Sequence, residues 1–188
     1  ATIVSSTSES ATVTTPSGAV GSSNVKLETA GGGFSNTLQN AYKYILAPTV
    51  KTNAATGISS STGRLNSSIN AQNDDATTSF CWGTSLTLAT CNSWETSTVT
   101  VSGTDTATVS VNLSGLANST TYYFKVKATN SLGSTFGSIE SLTTNTAPLS
   151  ISTTSPLAAG KVGLDYENQL QATGGTGTYS KWEVTAGS

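Results

Sequence analysis

The sequence predicts an all-β chain built from β-sandwich modules, and three observations carry that expectation. The first is composition. Of 188 residues, 35% are hydrophobic and 10% charged, both below the usual globular share. The remainder is Ser, Thr, Gly and Asn interleaved with Val, Ile, Leu and Tyr, unlike the Pro-, Glu- and Lys-rich remainder of disordered chains. Thr and Val favour pleated, half-exposed surfaces, while Gly and Asn supply turns. The second is a period of two over residues 122–128. Tyr122, Phe124, Val126 and Ala128 fall on one face, and Tyr123, Lys125 and Lys127 on the other, as a strand with one wet face requires. The third is Leu116, six residues before Tyr122, in the apolar turn of a β-corner. There a tyrosine hydroxyl reaches back to upstream backbone and ties two sheets together.

Residues 1–46 alternate strand-like runs with turns. Candidate strands cover 2–4, 10–14, 24–29 and 40–45, with turn signals at Pro16-Ser-Gly18 and Gly31-Gly-Gly33. Val25 and Leu27 alternate with Lys26 and Glu28, and Tyr42 and Tyr44 flank Lys43. A span of this size is thin for an independent sandwich, which normally needs about 100 residues. The set Thr15-Pro-Ser-Gly18, the Val25-Lys-Leu27 strand, the glycine turn and Ala41-Tyr-Lys-Tyr44 resembles the C-terminal half of an IPT/TIG immunoglobulin-like domain. The Gly-Gly-rich hairpin of that family's N-terminal half is missing, so 1–46 is expected to be a partial module.

Residues 47–145 read as a complete domain. Pro48 blocks a helix and biases Ala47 to extended backbone, marking a linker-like entry. Strand candidates are 49–51, 62–70, 77–82, 98–101, 106–113, 121–129 and 138–143. Seven strands at this spacing match an immunoglobulin-like sandwich. Trp82-Gly-Thr84, the Leu116-to-Tyr122 corner, the 122–130 strand, Gly133 and the Gly137-Ser138 turn together resemble a bacterial fibronectin type III-like module. That resemblance covers about half the chain.

Residues 146–188 open on Ala147-Pro148, echoing Ala47-Pro48. Gly160-Lys-Val-Gly163, Tyr166, Leu170, Ala172, Gly174-Gly175, Tyr179, Trp182 and Val184, taken in order, resemble the first part of a cadherin-like immunoglobulin repeat. The pattern should continue past Ser188, so this module is also expected to be partial. With no Met anywhere, Ala1 is not a translation start, and the chain is expected to be a processed product or a fragment.

Cys81 and Cys91 lie ten positions apart around a Gly- and Ser/Thr-containing turn. A metal site wants about four ligands, and the chain has no His and no further Cys. A disulfide across a hairpin-like loop is the expectation, with two free buried thiols as the alternative. The bridge implies an oxidising compartment, hence a secreted or surface protein.

Few residues suggest chemistry. A Ser/His/Asp arrangement cannot form without His, no Gly-Xaa-Ser-Xaa-Gly elbow is present, and Cys81 has no His to activate it. Asp74-Asp75 is the only adjacent acidic pair and reads as a solvated loop tip. A Ca²⁺ site would need further oxygen ligands. Neither glycine run is followed by the Lys-Ser/Thr of a phosphate cradle. No cofactor, metal or catalytic residue is expected, and the chain is not expected to be an enzyme. Net charge of −2 with scattered basic residues gives no case for nucleic acid or an anionic membrane, and no run approaches a membrane span.

Aromatics remain as a recognition surface. Trp82 and Trp182 are expected in or beside their cores. Trp94, beside Cys91, and Tyr123, facing away from Tyr122, are the candidate ligand contacts. The expected function is non-catalytic: a stalk, adhesin or filament segment on a bacterial cell surface, as the resemblances imply. Partial modules with open edges would invite strand addition from another chain, and a head-to-tail arrangement of that kind does not close. A homo-oligomer, or neighbouring modules of one fibre, is therefore the expected partner, with a surface glycan or protein as possible ligand. The alternatives are a carbohydrate-binding module of a secreted enzyme and a phage surface decoration.

Overall fold

A computed structural model describes residues 2–6, 10–15, 17–29, 31–88, 93–97, 99–165 and 167–175. Pro16, Cys91, Thr98, Tyr166, Tyr179, Trp182 and Val184 lie outside the described residues. Fourteen strands run through the described residues: β1 Thr2–Ser6, β2 Ala11–Thr14, β3 Gly21–Val25, β4 Leu38–Tyr44, β5 Thr49–Thr56, β6 Thr62–Asn70, β7 Thr77–Gly83, β8 Ser93–Thr96, β9 Thr106–Ser114, β10 Thr121–Asn130, β11 Gly133–Phe136, β12 Glu140–Thr143, β13 Ser150–Ile151 and β14 Ala172–Thr173.

The central strands form two antiparallel sheets. One has the order β5-β6-β9; the other runs β11-β10-β7-β8, with β12 also on β10. Both sheets feed one core: Leu65, Ile69, Val109 and Leu113 from the first, and Phe80, Phe124, Val126, Ala128 and Leu142 from the second. The result is an immunoglobulin- and fibronectin type III-like β-sandwich. β10 alternates buried and wet positions over its full ten residues, because Tyr122, Phe124, Val126 and Ala128 turn apolar side chains inward and the buried Asn130 amide is bonded to the Leu46 and Ala71 carbonyls. β6 does the same through Gly63, Leu65, Ser67 and Ile69. Its one buried hydroxyl, on Ser67, donates to the Val109 carbonyl at 3.0 Å, so burying it leaves nothing unpaired.

The corner forms as the sequence predicts. The Tyr122 hydroxyl accepts the Ala117 N–H at 2.9 Å, and its ring lies edge-on to Trp82 at 5.7 Å. Trp82 is half-buried and packs on the core, as expected.

Three strand expectations need correction. The strand expected at 24–29 is β3, Gly21–Val25, after which, within that span, only Glu28 pairs, in an isolated bridge to Phe34. The strand expected at 98–101 is not formed: among the described residues there, only Val101 pairs, in an isolated bridge to Ala76. β8 lies earlier, against the far edge of β7. After it the Ser97 hydroxyl accepts the Val99 N–H at 3.1 Å, a local turn that competes with continued strand. Val101 then buries its side chain in the core. The final strand expected at 138–143 starts later, as β12 at Glu140, and an unexpected short strand, β11, precedes it on the same side of β10. The break falls at Gly137, where an added Cβ would meet Thr52 Oγ1, the Thr52 nitrogen and a Val126 methyl. That gap admits β5, whose Thr52 hydroxyl donates to the Ser138 carbonyl at 2.6 Å. β5 is accordingly longer than the expected 49–51.

Among the described residues, the strands of the flanking segments pair in twos: β1 with β2, β3 with β4, and β13 with β14. In the first, Tyr44 packs over Gly18, where a Cβ would lie 2.7 Å from the ring. The Thr-Pro-Ser-Gly and Ala-Tyr-Lys-Tyr motifs therefore meet. In the last, Gly175 N–H donates to the Ala147 carbonyl at 2.7 Å, joining the Ala-Pro and Gly-Gly signals.

Candidate functional site

Of the two expected ligand residues, Tyr123 lies on the outer face of the β10 sheet. β10 register puts Tyr123 opposite Ser141 on one side and Gly83 on the other. Because Tyr122 and Phe124 face the core, Tyr123 faces out. There it lines an open concavity of ≈ 520 Å³ with Leu86, Thr87, Ile139, Glu140 and Ser141. Leu86 and Ile139 are 63% and 40% exposed, so the wall is apolar and accessible. Next along the face, the Lys125 ammonium sits 5.6 Å from the Phe136 ring centre, a cation–π contact that orders an exposed aromatic. A half-buried ring, two aliphatic side chains and a few hydroxyls can stack and hydrogen-bond a small polar ligand. Among the described residues, Glu140 is the one carboxylate lining the groove.

Trp94 is the register partner of Cys81; its side chain lies outside what the structure describes. Cys81 is fully buried and is not a free thiol. It sits on the opposite face of β7 from Phe80 and Trp82, so the outer face of the sheet is covered at that point. Cys91 lies outside the described residues.

The two adjacent aspartates do not converge. Asp74 accepts the Ser131 N–H at 3.0 Å and its hydroxyl at 2.6 Å, while Asp75 accepts the Ser102 hydroxyl at 2.6 Å. The Ser131 bonds hold the Asp74 carboxyl below its ordinary range. This pair fastens two turns rather than opening an ion site. Among the described residues no cluster of three or more His, Cys, Asp or Glu could hold a metal, and no helix is long and apolar enough to cross a membrane.

Leu86 and Ile139 carry no sequence signal, since they sit in connections that the β7–β10 and β10–β12 registers bring to Tyr123 from opposite sides. Two buried polar atoms, Thr78 Oγ1 and Trp82 Nε1, have no hydrogen-bond partner among the described residues.

No protein-family model matches the chain, and no curated protein does either. Among solved structures, it is similar to the sensor domain of the anti-sigma factor RsgI4 of Pseudobacteroides cellulosolvens. The shorter form of that domain is 19% identical with a TM-score of 0.40, over 54% of this chain and 98% of that one. Its solution structure is 21% identical with a TM-score of 0.38, over 62% and 93%. A human fibronectin type III domain, from the KIAA0970 protein, is 14% identical with a TM-score of 0.37, over 61% and 85%. Strand order and the shared core, not these likenesses, establish the sandwich.

Proposed function

We propose that this chain is a non-catalytic, extracellular structural segment, a spacer in a bacterial surface stalk or filament. The division into 1–46, 47–145 and 146–188 belongs to that proposal, as do the IPT/TIG-like and cadherin-like readings of the two ends. The observation that supports it most is where the chain enters and leaves the central sandwich. On entry, the Leu46 carbonyl accepts the Asn130 side-chain amide at 2.7 Å, at the last residue of β10. On exit, Thr143 pairs with Thr121 at its first. Entry and exit thus sit at opposite ends of the longest strand, the arrangement by which modules in series add their lengths. A Cys81–Cys91 bridge would suit the oxidising surroundings of such a protein.

Small-angle scattering of the full chain tests this reading. An elongated particle is expected, with a radius of gyration above the roughly 16 Å of one compact domain of this length. A value at that compact limit would sink the spacer reading.

The groove beside Tyr123 favours a second reading, a glycan-contacting module. It expects binding on a glycan array that is lost in Tyr123→Ala and Trp94→Ala; an array with no hits removes it.

A further inference from the structure

Exposed strand edges are templates for pairing with another chain, and natural sheets blunt them with charge, bulges or short length. Most edges of the central sandwich follow that rule. β5 carries Lys51 and a register shift between Asn53 and Thr56. β8 has four residues including Glu95. β11 and β12 have four each, and β12 includes Glu140. β9 does not follow it. Its nine residues, Thr-Ala-Thr-Val-Ser-Val-Asn-Leu-Ser, contain no charge and no Pro. It pairs with β6 over nine consecutive positions without a shift. Among the described residues no strand lies on its other side.

Burial points the same way. Val109 and Leu113 of β9 face the core and are buried, yet Ala107 and Val111, which share their parity, remain half-buried. The core therefore thins to an apolar rim along this edge, which an added strand would cover.

We propose that β9 is a docking edge for a second copy of this chain, joined by antiparallel β9–β9 pairing about a two-fold axis at Ser110. The sequence is self-complementary in that register. Val109 meets Val111, Ala107 meets Leu113, Thr108 meets Asn112, and Thr106 meets Ser114 of the other copy. Core-facing side chains thus meet core-facing ones, and hydroxyl or amide side chains meet their like. An odd shift would place apolar residues opposite polar ones on the wrong face. The product is a continuous six-stranded sheet, β5-β6-β9 followed by its mirror order. The contact is isologous, so it closes as a dimer and does not propagate. The axis also reverses one chain relative to the other. On the stalk reading above, that orientation suits copies reaching from facing surfaces; the pairing itself does not depend on that reading.

Sedimentation equilibrium of the full chain over a concentration series tests the pairing, with two charge variants at exposed β9 positions. T108E/N112E sets like charges opposite each other across the seam, whereas T108K/N112E sets opposite charges there. Asn112 pairs with Arg64 within the chain, so the added carboxylate is compatible with the fold, and matched thermal melts verify that. The wild type and T108K/N112E are expected to approach the dimer mass, and T108E/N112E to stay monomeric. A monomeric wild type would leave only a strand from a different protein as occupant and overturn self-pairing. Association that survives in T108E/N112E would move the contact to another surface. Loss of the dimer in T108K/N112E as well would refute the register.

Discussion

The Tyr122 hydroxyl and the Ala117 amide, 2.9 Å apart, fasten the turn after β9 to the opposing sheet. Tyr122→Phe keeps the ring on Trp82 and the core but removes that acceptor. A net loss of about 1 kcal/mol is expected, read as a lower urea midpoint at unchanged slope. No change in midpoint would mean that water replaces the hydroxyl without cost.

Gly137 marks the point where β5, at the edge of the first sheet, meets the second sheet through Thr52. Gly137→Ala is expected to destabilise by about 1–3 kcal/mol, since its Cβ would lie 2.8 Å from the Thr52 nitrogen and 2.9 Å from a Val126 methyl. Gly115→Ala serves as a comparison. It too sits in a turn, with φ +71 and open space around its Cβ, so it reports backbone strain without crowding. Gly137 has no positive φ, so an unchanged stability in Gly137→Ala would remove crowding as a constraint there.

Asp74 is expected to titrate below its ordinary value of 3.8, because the Ser131 hydroxyl and N–H bind its charged form. A depressed folded-state pKa contributes stability that is present above the unfolded value and is lost as pH falls through the folded one. The contribution is therefore complete at neutral pH and fades only in acid below the ordinary carboxylate range. Carboxyl NMR titration of the wild type and Ser131→Ala checks this, and the variant should return the midpoint toward 3.8. An unmoved midpoint would contradict the assignment to Ser131.

Should Cys81 pair with Cys91, as proposed, thiol reagent in guanidinium will find no free thiol before reduction and two after it. A loop of this length stabilises by about 2.5–3 kcal/mol on the chain-entropy estimate, so reduction should lower the melting temperature clearly. Reactive thiols in the unreduced, denatured chain would rule the bridge out.

Sequence resolved those elements whose pattern is set by their own burial. β6 spans the expected 62–70, and β10 extends the expected 121–129 by one residue, because each has one face fixed against a shared core. The elements it misplaced are set by distant neighbours. Ser93–Thr96 has no alternation to distinguish it and becomes a strand only through the far edge of β7. The split between β11 and β12 depends on Thr52, more than eighty positions away in the chain. The Tyr123 groove was half legible: alternation turned the ring outward, but Leu86 and Ile139 come from connections that only the register brings alongside it.

The positions of Leu46 and Thr143 at opposite ends of β10 have a mechanical consequence. Tension applied through the two flanking segments would run parallel to the strands of the central sandwich. The β5–β6 ladder would then be loaded in shear, its rungs strained together rather than opened one after another. The Thr52–Ser138 bond would add a cross-tie between the sheets at the strand that bears the load first.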